Sequence, residues 1–291
     1  MVPRCIDVTN VITCLHLIVT LKLWGTYSLD WYVAPIARVI KQGSLVCINK
    51  AVMFDIVNCN LESIYCDFFR KNIKSLMAHS LLGHDIANPY LIKVDELFDN
   101  CLLKGMFFGK ETNNWGTEIP DSDLGPDTLM TLYDLFVNKD WGDDHLFWQY
   151  VSALREWSRD AMEQAFCFIP NNVSKVGKQG IGTDKDVFDH FNLKSHLVLE
   201  ELSIIQPDFL ILACGDKDYN YYIEQAIGPF DTIHTGLNRV NHIRFHHSEI
   251  PALQIDHPQY QNISSMWDDT LSFIKDWLMQ QLKERYGSTN Y

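Results

Sequence analysis

The chain has 291 residues, and its 37 acidic side chains outnumber its 24 basic ones, which gives a formal net charge of −13. Hydrophobic residues make up 47% of the sequence, so the composition excludes an intrinsically disordered chain. No stretch of about 18 or more apolar residues lacks a charge, which excludes an ordinary transmembrane helix. The acidic balance also excludes a protein that coats nucleic acid through bulk positive charge.

The first fifty residues differ from the remainder because they are net basic. The apolar stretch 11–21 resembles the central part of a signal peptide, but no suitable cleavage site follows it. The sequence therefore predicts a variable N-terminal segment, 1–52, before one globular domain, 53–291, and a cytoplasmic location. The eight cysteines form no CxxC pair and no zinc-like spacing. We expect reduced thiols and neither a metal site nor a cofactor.

From residue 53 onward, helix-like periodicity alternates with short, almost continuously apolar runs. Glycine or proline follows several of these runs, as Gly109, Pro170 and Gly215 do. In chain order, the predicted elements are helix 61–82, strand 102–109, helices 126–137 and 143–164, strand 166–169, helix 186–206, strand 208–215, helix 219–227, an edge strand 243–247, strand 252–256 and helix 263–286. This order predicts a three-layer α/β/α domain with a four-stranded, mainly parallel sheet.

Ligands of such sheets bind beyond the carboxyl ends of the strands. The first strand is followed by Gly109, Lys110 and Glu111, and the last strand by His257. An acidic residue and an imidazole are therefore expected at the same edge of the sheet. Helix capping or salt bridging by Glu111, and a simple backbone hydrogen bond by His257, are the alternatives.

Four segments in this order resemble motifs of the uracil-DNA glycosylase superfamily, over the chain from about Asn88 to the C-terminus. Residues 109–113, Gly-Lys-Glu-Thr-Asn, resemble the motif G-Q-D-P-Y or G-E-x-P. Residues 169–175 are similar to a strand ending in N-x-x-K, and residues 200–215 to the following helix and strand. Residues 257–259, His-Pro-Gln, resemble the motif H-P-S.

The resemblance implies a role for each matching residue. Glu111 would position or activate the water that attacks C1′ of the deoxyribose, and His257 would stabilise the departing base. Asn172, or its neighbour Asn171, would recognise the edge of the flipped base. The remaining base-binding candidates are Gly109, Lys110, Asn113 and Trp115, and the DNA-binding candidates are Lys175, Lys178, Arg239, Arg244 and Gln259.

The implied activity is that of a monofunctional DNA glycosylase, a monomer that binds DNA and no membrane. The motifs depart from the family at Thr112 and Asn113, which replace Pro-Tyr, and at Gln259, which replaces serine. A larger, modified base is therefore favoured over uracil. One candidate is the glucosylated hydroxymethylcytosine of invading phage DNA, which would make the protein part of an antiviral defence.

The chemistry itself is compatible with these residues. Cleavage of an N-glycosidic bond passes through an oxocarbenium-like state, which needs a carboxylate near the sugar and a donor near the leaving group. A base within a duplex must also be flipped out before it can react. Two other functions stay open: a non-catalytic DNA- or nucleotide-binding module with this fold, and a nucleosidase that acts on free nucleosides.

Overall fold

The structure is a computed structural model that describes residues 51–81, 86–111, 114–116, 119, 124–139, 145–178, 184–215 and 219–287. The predicted segment 1–52 lies outside these ranges except for Ala51 and Val52, which begin the first helix. Within these ranges, no helix combines the length and the apolar character that are needed to cross a bilayer.

One sheet organises the described part of the chain. Its strands are β1 (Leu103–Glu111), β2 (Phe166–Ser174), β3 (Phe209–Leu212), β4 (Phe230–His234), β5 (Val240–Phe245) and β6 (Ala252–Ile255), in the spatial order β2-β1-β3-β6-β5-β4. Strands β2, β1, β3 and β6 are parallel, whereas β5 and β4 are antiparallel additions. The predicted α/β class is confirmed, but the sheet is mixed and has six strands instead of four.

The helices connect the strands and cover the sheet. They are α1 (Ala51–Leu81), α2 (Pro126–Val137), α3 (Leu146–Ala161), α4 (Lys185–Val187), α5 (Leu197–Ile205), α6 (Asn220–Ala226), α7 (Pro258–Ile263) and α8 (Trp267–Tyr286). A π-helical turn, Phe188–Leu193, continues α4. The predicted helix 186–206 is therefore wrong as one element, because His196 has a left-handed backbone (φ 53°) that separates the π turn from α5.

Two strand predictions also need correction. The sequence placed the end of the second strand before Pro170, but β2 continues through Pro170 to Ser174. Proline is tolerated there because β2 lies at the sheet edge and pairs only with β1, so its missing N–H breaks no second ladder. The expected edge strand at 243–247 is β5, which is an inner strand because the unpredicted β4 lies outside it.

The sheet has a separate hydrophobic core on each face. Side chains alternate along β1, so Met106 and Phe108 enter one core while Leu103 and Phe107 enter the other. Helices α1, α2 and α5 contribute to the first core, and α3 and α8 contribute to the second. Burial on both faces explains why the central strands are apolar along almost their whole length.

Gly105, in the middle of β1, is expected to tolerate no side chain. A Cβ atom there would lie 2.0 Å from Cε2 of the Phe209 ring on the neighbouring strand. We predict that Gly105→Ala lowers the free energy of unfolding by about 1–3 kcal/mol through overpacking. Urea denaturation measures this change, with Gly125→Ala as the control because a Cβ at Gly125 meets no atom within 4 Å. Equal stability of the two variants would contradict the prediction.

Candidate active site

The predicted catalytic residues lie at one edge of the sheet. Glu111 is the last residue of β1, and His257 follows β6 by two residues. Because these strands are parallel members of one sheet, their carboxyl ends face the same side. Asn172 also lies there, opposite Gly109 in the β1–β2 ladder.

Two other side chains pack closely against the backbone of Gly109. A Cβ atom at this position would lie 2.7 Å from Oδ1 of Asn172 and 2.9 Å from Cε2 of Phe147. A glycine is therefore required for both side chains to approach the β1 backbone. Asn172 is 8% exposed, and among the described residues its carboxamide has no hydrogen-bond partner, although its backbone N–H donates to Oδ1 of Asn171. The carboxamide is thus available to a ligand.

His257 is held in a defined orientation and protonation state. It caps α7, and its Nδ1 accepts a hydrogen bond from the backbone N–H of Gln259 at 3.3 Å. Its ring stacks on Phe147, with 6.0 Å between the ring centroids and 21° between the planes. Burial, together with the nearby Lys110 ammonium, lowers the pKa of His257 to about 4. At pH 7 the imidazole is therefore neutral, and because Nδ1 accepts, Nε2 carries the proton.

Glu111 and Lys110 approach the same residue of the segment after β3. The Tyr219 hydroxyl donates a hydrogen bond to Oε2 of Glu111 at 3.4 Å. Nζ of Lys110 lies 5.6 Å from the centroid of the Tyr219 ring. Cys214 is close by, with its Sγ 3.4 Å from the carbonyl oxygen of Gly109, and burial raises the pKa of this thiol. Cys214 is therefore a neutral thiol and not a nucleophile at pH 7.

Lys175 is not available to DNA, contrary to the prediction. It is 1% exposed, and its Nζ forms an ion pair with Oε1 of the fully buried Glu201 at 2.7 Å. Asn171 and Tyr65 complete this buried network by donating to Oε2 and Oε1 of Glu201. Oδ1 of Asn171 also accepts hydrogen bonds from Nζ of Lys175 and from the Asn172 backbone. Asn171 is therefore structural, and Asn172 is the asparagine with a free carboxamide.

Trp115 also differs from its predicted role in base binding. The side chain is 6% exposed and belongs to the core on the α1 face of the sheet. Its ring contacts Tyr90 and Phe136, with centroid distances of 4.8 and 5.0 Å. Neighbouring aromatic side chains therefore occupy the positions that a base would need for stacking.

The other DNA-binding candidates lie at more exposed positions. Arg239 forms an ion pair with Asp256 at 2.8 Å, which fixes the turn between β4 and β5 beside the end of β6. Arg244 and Gln259 are exposed, and Lys178 is half-buried. Asn113 lies outside the described residues, as do residues 112, 117–118 and 216–218, which follow β1 or β3 in the sequence.

The histidines of the β4–β5 hairpin do not form a metal site. His246 faces Asp231, and the ring of His242 lies near that of Phe273. Within the described ranges, no group of three or more His, Cys, Asp or Glu residues is suitably placed to hold a metal ion.

Phe147 and Tyr219 belong to the site but were not predicted as site residues. Tyr219 lies in the segment after the third strand, and ligands of such sheets bind beyond the carboxyl ends of the strands, so its position was partly foreseeable. Phe147 lies in the first turn of α3. No sequence pattern around Phe147 indicates a site residue, because only the packing of α3 on the sheet brings its ring to Gly109.

The described part of the chain also contains a cleft away from these strand ends. It lies beside the edge strand β2, and Lys93, Asp134, Arg155 and Cys167 contribute to its lining. Lys93 pairs with Asp134 at 3.0 Å, and Arg155 donates to the carbonyl oxygens of Val137 and Phe168. The cleft is therefore distinct from the site around Gly109.

Comparison with known proteins assigns no family. No protein-family model matches the chain, and no curated protein matches it. Membership of the uracil-DNA glycosylase superfamily therefore stays a prediction from the four motif-like segments.

The buried ion pair makes Lys175 important for stability. We predict that Lys175→Met lowers the free energy of unfolding by about 3–5 kcal/mol, because it leaves the Glu201 carboxylate buried without a cation. Lys178→Met is the matched control, three residues along the chain and half-buried, and should change stability by less than about 0.5 kcal/mol. Urea denaturation compares the two, and similar small effects would show that the ion pair contributes little.

The low pKa of His257 predicts a specific pH dependence of stability. Between pH 6.5 and about 4 the unfolded chain binds a proton at this residue that the folded protein does not bind. Stability should therefore fall as pH decreases through this range, by up to about 3 kcal/mol relative to His257→Asn. Asparagine is the suitable replacement because it preserves helix capping. Parallel profiles of wild type and variant in denaturation from pH 7 to 4 would disprove the assignment.

Proposed function

We propose that this protein is a DNA glycosylase that flips a modified base out of DNA and hydrolyses its N-glycosidic bond, leaving an abasic site. The observation that carries the proposal is the arrangement around Gly109. A carboxylate, an ammonium group, a neutral imidazole and an unpaired carboxamide all lie at the carboxyl ends of parallel strands. These groups match the needs of glycosidic cleavage at three points: the sugar, the leaving base and the base edge.

His257 and Lys110 would act on the leaving base. Departure of the base places negative charge on its ring, and a preorganised donor stabilises that charge more strongly in a water-poor site. Neutral His257 can offer its Nε2–H because Nδ1 is already engaged by Gln259. The positive charge of Lys110, which helps to lower the pKa of His257, would also stabilise the anionic base.

Glu111 would act on the sugar. The oxocarbenium-like transition state carries positive charge near C1′, which a carboxylate stabilises, and the same carboxylate can orient a water molecule for attack. Tyr219 would hold Glu111 in position through its hydrogen bond to Oε2.

Asn172 and Phe147 would bind the extruded base. A carboxamide offers both donors and an acceptor, so it can pair with the exposed edge of a base. The Phe147 ring lies against Gly109 and His257 and provides an apolar face for stacking. We further propose that the base is a modified cytosine, such as glucosylated hydroxymethylcytosine, because Thr112 and Asn113 replace the Pro-Tyr of the uracil-specific motif.

The wider fold supports the same proposal. The four parallel strands, with helices on both faces, agree with a glycosylase-like α/β/α arrangement, to which β4 and β5 would be an addition. Arg239 and its turn lie beside the end of β6, where they would contact the phosphates that flank the flipped nucleotide. Arg244, Lys178 and Gln259 would extend this surface. DNA binding should then weaken as the salt concentration rises.

A panel of duplex and single-stranded DNAs, each with one modified base, tests the activity. We predict alkali-labile strand breaks at one class of modified base, together with release of the free base. Glu111→Gln and His257→Asn should each reduce the single-turnover rate by about 100-fold or more. Gly109→Ala should have a similar effect, because its Cβ would displace Asn172 and Phe147.

The control is Glu96→Gln, an exposed carboxylate before the amino end of β1, which should leave the rate unchanged. Salt-dependent DNA binding without excision of any base would contradict the enzyme and favour the non-catalytic module. Release of base from free nucleosides, without DNA binding, would identify a nucleosidase instead.

A further inference from the structure

Asn171 lies beside Asn172, and the partners of its amide group fix the orientation of that group. Its Oδ1 accepts hydrogen bonds from Nζ of Lys175 at 2.6 Å and from the backbone N–H of Asn172 at 2.8 Å. Its Nδ2 donates to Oε2 of Glu201 at 2.9 Å. An ammonium group and a backbone N–H can only donate, and an ionised carboxylate can only accept. The amide of Asn171 therefore has a single orientation that satisfies all three partners.

The groups that hold Asn171 are themselves buried and held in place. The side chains of Lys175 and Glu201 are 1% and 0% exposed, and their charges pair at 2.7 Å. The Tyr65 hydroxyl donates to Oε1 of Glu201 at 2.7 Å and accepts the backbone N–H of Ile92. The network thus connects Asn171 to α1 and α5. Reorientation of the Asn171 amide would leave these buried charges with fewer hydrogen bonds, which is unfavourable.

Asn172 depends on Asn171 because it lies on an edge strand. Among the described residues, β2 pairs only with β1, so no neighbouring strand holds its outer side. The Asn172 N–H donates to Asn171 instead of to such a strand. On the inner side Asn172 lies opposite Gly109, whose missing Cβ leaves room for Oδ1 of Asn172. The Asn172 carboxamide is therefore fixed between the Gly109 backbone and the main-chain position that Asn171 imposes.

We propose that Asn171 is a positioning residue, which fixes the carboxamide of Asn172 through its hydrogen bonds to the Asn172 main chain and to the Lys175–Glu201 pair. A carboxamide has a donor end and an acceptor end. When mobile it can pair with the edges of several bases, whereas a fixed carboxamide rejects a base whose donors and acceptors do not match. Asn171 thereby determines which base edge the site accepts. This consequence rests on the proposed glycosylase function, but the ordering of Asn172 does not.

Nuclear magnetic resonance of the full-length protein, isotope-labelled at its asparagine residues, tests the ordering. The signal that disappears in Asn172→Ala identifies the Asn172 carboxamide. We expect an order parameter of about 0.85 for this group in the wild-type protein, and a value below about 0.6 in Asn171→Ala. The Asn172 backbone N–H should also exchange slowly with solvent in the wild-type protein and faster in Asn171→Ala, because its acceptor is removed.

Tyr65→Phe is the matched control, because it removes a hydrogen bond of the same buried network and leaves the contact between Asn171 and Asn172 intact. It should lower stability without changing the order of the Asn172 carboxamide. The proposal is overturned if this carboxamide is equally ordered in wild type and Asn171→Ala, or if Tyr65→Phe mobilises it to the same extent. Asn171→Ser, which keeps a small polar side chain, takes the place of Asn171→Ala if the latter does not fold.

The consequence for base recognition is measured with the panel of modified DNAs. Asn171→Ala should raise the half-saturating DNA concentration by about 10-fold and reduce the preference for the best base over the next by a similar factor, while the maximal single-turnover rate changes by less than about 3-fold. A lower maximal rate with an unchanged preference would overturn the role in recognition. If the wild-type protein excises no base, the proposed function fails, and the resonance experiment still decides whether Asn171 orders Asn172.

Discussion

The parallel register of β1 with its neighbours is the constraint on which the candidate site depends. It places Gly109 opposite Asn172 and brings the ends of β1 and β6 to one edge of the sheet. The backbone N–H of Asn172 donates a hydrogen bond to Oδ1 of Asn171, and Asn171 belongs to the buried network of Lys175 and Glu201. Burying an ion pair costs desolvation free energy. Here the pair fixes the carboxyl end of the edge strand β2, next to the candidate active site.

The surroundings of His257 give its imidazole the protonation state that its proposed role needs. Burial keeps His257 neutral, and the positive charge of Lys110 reinforces this effect. The hydrogen bond from the Gln259 backbone to Nδ1 selects the tautomer of His257, so the proton lies on Nε2. A neutral donor beside a fixed cation suits a leaving group that becomes negative only as the bond breaks, since such donors act most strongly in the transition state.

The sequence by itself determined the α/β class and the position of Glu111 and His257 at strand ends, because apolar runs and turn residues are local signals. It did not determine the mixed, six-stranded sheet. Only the tertiary structure decided which polar residues face the site. Lys175 and Asn171 resemble neighbouring surface residues in the sequence, yet Glu201, from a helix 26 residues beyond Lys175, takes them into the core. The place of Phe147 in the site and of the strand β4 in the sheet likewise depends on contacts between distant segments, which no local pattern encodes.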